Sequence, residues 1–153
     1  MELLDSLLPV FYELLEQLYS AGAEYIQLDE PCLALNLKDK ERNKLSDLYN
    51  SIALKFPQLK IILTNYFDCY GDNLETALQL PVHALHLDLV RCPLQLDDIL
   101  ESTLYTGEQI LSLGVVDGRN IWRNNFDASL KLIDKAQQYL GKDKVWIASS
   151  CSF

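Results

Sequence analysis

Five short apolar runs in this chain end on residues able to do chemistry. Asp29 and Glu30 close the run Tyr25 to Leu28, Asn65 follows Leu63-Thr64, and Asp88 follows His86-Leu87. Asp117, Arg119 and Asn120 follow Val115-Val116, and Cys151 lies among Ser149, Ser150 and Ser152. Adjacent residues of a strand point to opposite faces, so of Asp29 and Glu30 only one can look into a shared mouth. Such a carboxylate serves as an acceptor or general base toward a substrate amine, or it holds a loop or caps the next helix, as strand-end acids commonly do. Arg119, beside flexible Gly118, suits a loop that binds carboxylate or phosphate; equally, it suits an ion pair with Asp117 or Asp88 that braces the mouth. Cys151 among three hydroxyls has the makings of a metal ligand or a nucleophile.

Two histidines, His83 and His86, invite a metal reading. A separation of three puts them on opposite sides of a strand, so they are not expected to chelate one ion together, and a hydrogen-bonded structural role fits them better. Cys32, Cys69, Cys92 and Cys151 form no CxxC or other short spacing, so neither a disulfide framework nor a zinc knuckle is expected. Reduced thiols follow, with Cys32, Cys69 and Cys92 as small half-buried residues just after strands.

These ends need elements to position them. Leu3, Leu4, Leu7, Leu8, Phe11, Leu14, Leu15 and Leu18 recur at helical spacing, predicting a helix over 2–21 that Pro9 kinks or restarts and Gly22 closes. Strands are predicted over 24–29, 60–65, 84–89, 109–116 and 145–149, and further helices over 40–56, 72–80, 96–104 and 126–140. The continuous apolar run at 60–65 predicts burial on both faces. Strict alternation with short connections demands a parallel sheet, either open and doubly wound or an arc of a (β/α)8 barrel. No Gly-rich phosphate loop follows any strand, and every strand ends in polar groups, so the α/β class narrows to a partial (β/α)8 barrel, residues 1–153 forming one partial domain.

At 153 residues and 49% apolar, the chain is sized for one core. A net charge of -9 with scattered Lys and Arg argues against nucleic acid. No apolar run is long enough to span a membrane, and no basic leader precedes the first helix, so a cytoplasmic protein is expected.

The strings Gln27-Leu28-Asp29-Glu30-Pro31, Thr64-Asn65-Tyr66-Phe67, Leu80-Pro81-Val82, His86 to Arg91, Leu113 to Trp122 and Ser150-Cys151-Ser152 resemble the N-terminal domain of cobalamin-independent methionine synthase. The run Gly114-Val115-Val116-Asp117-Gly118-Arg119-Asn120-Ile121-Trp122 is the most specific of them. The resemblance implies two duplicated (β/α)8 barrels, methyl transfer from 5-methyltetrahydrofolate polyglutamate to homocysteine, and a zinc ion held by the C-terminal barrel. It makes this chain strands four to eight of the N-terminal barrel. The zinc ligands of the other barrel then fall at Asn65 and Phe67, Asp88 and Cys151, of which only Cys151 is retained. No zinc and no catalytic residue are therefore expected here. The family's proton-donating histidine is replaced by Arg119 or Asn120, and only Arg119 and Arg123 remain as supports for a folate tail. The implied partners are the missing barrel half and the catalytic barrel. The competing readings are an interaction module that closes its sheet edges with a second copy, and a small metalloenzyme built on Cys151, Asp88 and His86.

Overall fold

A computed structural model describes residues 2–152, with side chains from residue 6 onward. Five strands, β1 (Tyr25–Asp29), β2 (Lys60–Thr64), β3 (Ala84–Asp88), β4 (Ile110–Val116) and β5 (Val145–Ser149), alternate with helices α1 (Glu2–Ser20), α2 (Asp39–Lys55), α3 (Leu74–Gln79), α4 (Gln95–Leu100) and α5 (Phe126–Leu140). All neighbouring strands are parallel, and their order in the sheet is their order in the chain, β1-β2-β3-β4-β5. This order never doubles back, unlike that of a doubly wound sheet, which reverses at a switch point.

The sheet has two unlike faces, set by the period of two along each strand. Ile26, Ile61, Leu63, Leu85, Leu87, Leu111, Leu113, Val115 and Val145 turn toward the helices and join Leu15, Tyr49, Ile52, Leu96, Ile99, Ile133 and Ala136 in one buried core. The opposite face carries Gln27, Asp29, Ile62, Thr64, His86, Ser112, Trp146 and Ala148 around a cavity of about 470 Å³. In β2 the burial expected on both faces is therefore partial: Ile61 and Leu63 are buried, while Lys60 and Ile62 are half-exposed.

The local chemistry explains most boundaries. α1 runs unbroken through Pro9 and closes with Ala23 N–H donating to Leu18 and Gly22 N–H donating to Tyr19, the paired bonds of a Schellman end. Asn125 caps α5 through a bond from Ala128 N–H. α4 stops at Leu100, short of the expected Leu104, because the Ser102 hydroxyl accepts the Leu104 N–H and draws the chain into a turn. Asn73, at the start of α3, makes no capping bond with its side chain. Its side-chain amide donates instead to the carbonyls of Leu33 and Leu35 at 2.8 and 2.6 Å and accepts from Arg42, tying the loop after β1 to the loop after β2.

Candidate functional site

The polar strand ends do converge at one rim, and the period of two sorts them. Asp29 lies on the concave side, accepting from Gln27 Nε2 at 2.7 Å and from the Tyr66 hydroxyl at 3.1 Å. Glu30 points the other way, toward α2, where the Tyr49 hydroxyl donates to it at 3.1 Å and the Cys32 thiol at 3.5 Å. Burial pushes the Glu30 carboxyl above its ordinary value, and the two hydrogen bonds only partly offset this. Cys32, half-buried beside that carboxylate, has its thiol raised to about 11 by desolvation and by the Glu30 charge, which leaves it a poor nucleophile.

Asp88 is 1% exposed and fully engaged. One carboxylate oxygen accepts Phe67 N–H at 2.9 Å, and the other accepts Val90 and Arg91 N–H at 3.2 and 3.0 Å. A single buried carboxylate thus fixes the loops after β2 and β3, with a charge-assisted bond to each. Phe67 is held in the left-handed region at φ 81°, a conformation uncommon for a side-chain-bearing residue. Asn65 is also buried; its amide donates to the Asp68 carbonyl at 3.4 Å, and its Oδ1 and the Thr64 hydroxyl have no partner among the described residues.

The loop after β4 folds on itself. Asp117 accepts Arg119 N–H at 2.9 Å and Asn120 Nδ2 at 2.7 Å, and these bonds hold its carboxyl below the ordinary range. The Arg119 guanidinium lies 4.7 Å from the centre of the Phe67 ring. The brace is therefore a cation over an aromatic face, with Asp117 served by Arg119 through its backbone. Ile121 and Trp122, next in the loop, are 97% and 76% exposed.

The ends of β4 and β5 meet backbone to backbone. Gly118 N–H donates to the Ser150 hydroxyl, and a Cβ on Gly118 would stand 2.6 Å from the Cys151 carbonyl oxygen and 3.2 Å from its sulfur. Four residues earlier, within β4, a Cβ on Gly114 would stand 2.7 Å from the Leu87 carbonyl and 2.8 Å from Ser150 Cα. Cys151 is buried in this seam, flanked by Ser149, whose hydroxyl donates to its carbonyl.

His86 is buried on the concave face between Ser112 Oγ, 3.1 Å from Nδ1, and the Ser150 carbonyl, 3.2 Å from Nε2. A carbonyl only accepts, so Nε2 carries the proton and Nδ1 accepts the Ser112 hydroxyl. Burial pushes the His86 pKa down, favouring this neutral form. His83 precedes the first residue of β3, and its ring meets Tyr25 at 5.5 Å and Trp146 at 6.3 Å. The rule of opposite strand faces does not reach it, because it lies outside the strand.

Two expectations about cysteine are corrected. Cys69 and Cys92 are joined as a disulfide, with Cα atoms 5.3 Å apart across 23 residues of sequence. They are therefore neither reduced nor independent, because parallel pairing of β2 and β3 brings the loops after them side by side. The Tyr49 and Tyr66 hydroxyls that serve Glu30 and Asp29, and the Phe67 ring beneath Arg119, were not foreseen either, since none of these aromatic residues carries a spacing signal that points to its partner.

As donors to a metal, the aligned positions are poor. Asn65 and Phe67 offer an amide and a hydrocarbon, Asp88 is occupied by three N–H groups, and among the described residues no group of three or more His, Cys, Asp or Glu side chains could hold an ion. Among the same residues no helix is long and apolar enough to cross a membrane.

Comparison with known proteins is consistent with this geometry. The family profile described as "Cobalamin-independent synthase, N-terminal domain" matches residues 1–141. Proteins named 5-methyltetrahydropteroyltriglutamate–homocysteine methyltransferase from Flavobacterium johnsoniae and Cytophaga hutchinsonii are 63% and 52% identical over 99% of the chain. The chain spans about a fifth of the length of these curated relatives. A solved structure provisionally named a vitamin-B12 independent methionine synthase, from Listeria monocytogenes, superposes on 97% of this chain and 48% of its own with a TM-score of 0.73. At 18% identity, that likeness concerns the fold alone.

Proposed function

Because this chain belongs to the cobalamin-independent synthase family, within its N-terminal domain, we propose that it serves as the last five βα units of a (β/α)8 barrel in a methyltransferase. The parent enzyme would move the methyl group of 5-methyltetrahydropteroyltriglutamate to homocysteine. The observation that carries this reading is 63% identity to a protein of that name over essentially the whole chain.

The barrel assignment has its own support. Tyr25 of β1, His83 before β3 and Trp146 of β5 come from alternate strands, and their rings gather on the concave side at 5.5 to 6.3 Å. Tyr25 and Trp146 belong to the first and last strands, so the sheet is curled far enough for its two edges to touch across the hollow. Layers built from alternate strands are the interior pattern of a (β/α)8 barrel. Sequential strand order agrees with it.

In this reading the rim residues Asp29, Asp88, Asp117, Arg119 and Asn120 brace loops and carry no chemical step. Zinc in the parent supplies thiolate activation, and the side chains here do not fit it: Asp88 is buried and already accepts three backbone N–H groups, and Phe67 is no ligand. The chain alone is therefore inactive, and it resides in the cytoplasm with the other soluble enzymes of amino-acid synthesis. The test is a methyl-transfer assay of the isolated chain with zinc, homocysteine and methylfolate. No turnover above a protein-free control is expected, and any turnover removed by substitution of Asp88 or Cys151 contradicts the proposal.

A second reading, an interaction module that pairs with another copy, is favoured by one observation. β1 and β5 each pair on one side only, and α1 beside β1 leaves Leu7, Val10 and Leu14 more than half exposed. Unpaired edges and apolar faces seek cover. Light scattering at rising concentration separates the two, a constant monomer mass opposing the module.

A further inference from the structure

The rim holds a feature that the methyltransferase reading does not use. Cys69 and Cys92 join the loops after β2 and β3, the same two loops that Asp88 already ties together through Phe67, Val90 and Arg91. The covalent tie and the carboxylate tie act in parallel on one segment, residues 66–69. That segment carries the Phe67 ring on which Arg119 rests. We propose that Cys69 and Cys92 form a reversible thiol–disulfide site whose state sets how firmly Phe67, and through it the Arg119 loop, is held at the rim.

The four cysteines differ in their fitness for exchange. Cys32 donates its thiol to Glu30, and Cys151 is buried in the seam with Gly118, so neither is free to react. Cys69 is half-exposed in its loop, while Cys92 is 8% exposed beneath it. This arrangement gives an entry sulfur and a resolving sulfur. A low-molecular-weight disulfide, RSSR, is attacked by the Cys69 thiolate to give a mixed disulfide and one RS⁻. Cys92 thiolate then attacks the Cys69 sulfur, forming the protein disulfide and releasing the second RS⁻. Two protein thiols are oxidised, one RSSR is reduced to two RSH, and the two thiol protons leave with the products. Reduction runs the same steps backward with excess RSH.

The geometry also states what changes. With the bridge closed, Phe67 N–H is held against Asp88 at 2.9 Å from two directions, by the carboxylate and by the covalent loop. With the bridge open, only the carboxylate remains, and a residue at φ 81° has an incentive to relax toward a commoner conformation. Local opening of residues 66–69 then becomes more frequent without global unfolding.

The experiment uses the 153-residue chain equilibrated in glutathione buffers of graded ratio, with free thiols trapped by alkylation and mapped by mass spectrometry. The expected result is a two-electron transition confined to Cys69 and Cys92, with Cys32 and Cys151 alkylated under denaturing conditions throughout. Hydrogen exchange of the Phe67 amide, read on the oxidised and reduced chain, is expected to quicken about tenfold on reduction, with β4 amides unchanged. Cys69→Ser should show the faster exchange in both buffers. Failure of the pair to oxidise in glutathione disulfide, pairing through Cys32 or Cys151, or equal Phe67 exchange in both states would each overturn the proposal. None of these outcomes depends on methyl transfer, so they leave the family reading untouched.

Discussion

The two faces of the sheet obey different rules. On the helix side, Leu85, Leu87, Leu111 and Leu113 are fully buried among apolar neighbours. On the concave side, residues one step away in the same strands are His86, Ser112 and Gly114, held by directional hydrogen bonds and close backbone contact. Burial of apolar area makes the first face stable and indifferent to detail. The second face contributes less to stability and depends on atoms standing in particular places. The polar side of this parallel sheet is therefore where identity shows, since the interior layers of (β/α)8 barrels more commonly carry Val, Ile and Leu.

The sharpest way to break the contrast is paired truncation within β4. Leu113→Ala should cost about 3 kcal/mol, by lost transfer energy and the cavity left behind. Its neighbour across the sheet, Ser112→Ala, should cost about 1 kcal/mol, because it removes one hydrogen bond to His86. Urea unfolding midpoints read both, and equal losses would erase the distinction between the faces.

Gly114→Ala comes next, at about 2 kcal/mol. The added methyl would lie within 2.8 Å of backbone atoms of both neighbouring strands, and backbone yields less readily than a side-chain tip. Thermal unfolding measures it; a loss no larger than that of an exposed surface substitution would show that the two strands do not meet as closely as described.

Asp88→Asn should cost about 2 kcal/mol, since one charged acceptor is replaced by a neutral one and an amide is turned against a backbone N–H. The damage should be confined to the rim. Hydrogen exchange of Phe67, Val90 and Arg91 amides should quicken while the amides of β3 stay protected, and uniform loss across β3 would make Asp88 a core residue in disguise.

The pH dependence compares the faces through one titrating group on each. His86 has a folded pKa below its ordinary 6.5, so above 6.5 both folded and unfolded forms are neutral and pH has no effect through it. As pH falls through 6.5 the unfolded chain takes up a proton that the fold resists, and stability drops. Glu30 runs the other way, because its raised pKa means that the fold binds a proton more readily, gaining stability as pH falls toward the acid range. Denaturant midpoints between pH 7.5 and 5 should fall for the native chain and flatten in His86→Gln, with His83→Gln as the comparison for the other lowered histidine. An unchanged slope in His86→Gln would place the effect elsewhere.

The smallest effect is expected at Phe67→Gly, where relief of the left-handed backbone offsets loss of the ring beneath Arg119, leaving a change under about 1 kcal/mol.

Periodicity accounts for what sequence could reveal. Alternation of helix and strand patterns located all five strands, and the period of two correctly assigned Asp29 and Glu30 to different faces. Contacts between loops were not legible. Cys69 and Cys92 each follow a different strand, and only the pairing of those strands brings them together. The clamp by Asn73 was hidden for the same reason, its partners Leu33 and Leu35 lying a full βα unit away. A short polar side chain near a helix start has two uses, and the sequence pattern favours the local one. The end of α4 failed through a single competing bond at Ser102.

The most direct test of the account is equilibrium dialysis of the chain, with Cys69 and Cys92 kept as the disulfide, against zinc at neutral pH, with metal counted per chain. If Asp88 and Cys151 are bracing residues of a barrel rim, the chain retains no stoichiometric zinc, and Cys151→Ser changes nothing. One zinc per chain, surviving dialysis and lost in Cys151→Ser, would contradict the account and make the rim a metal centre.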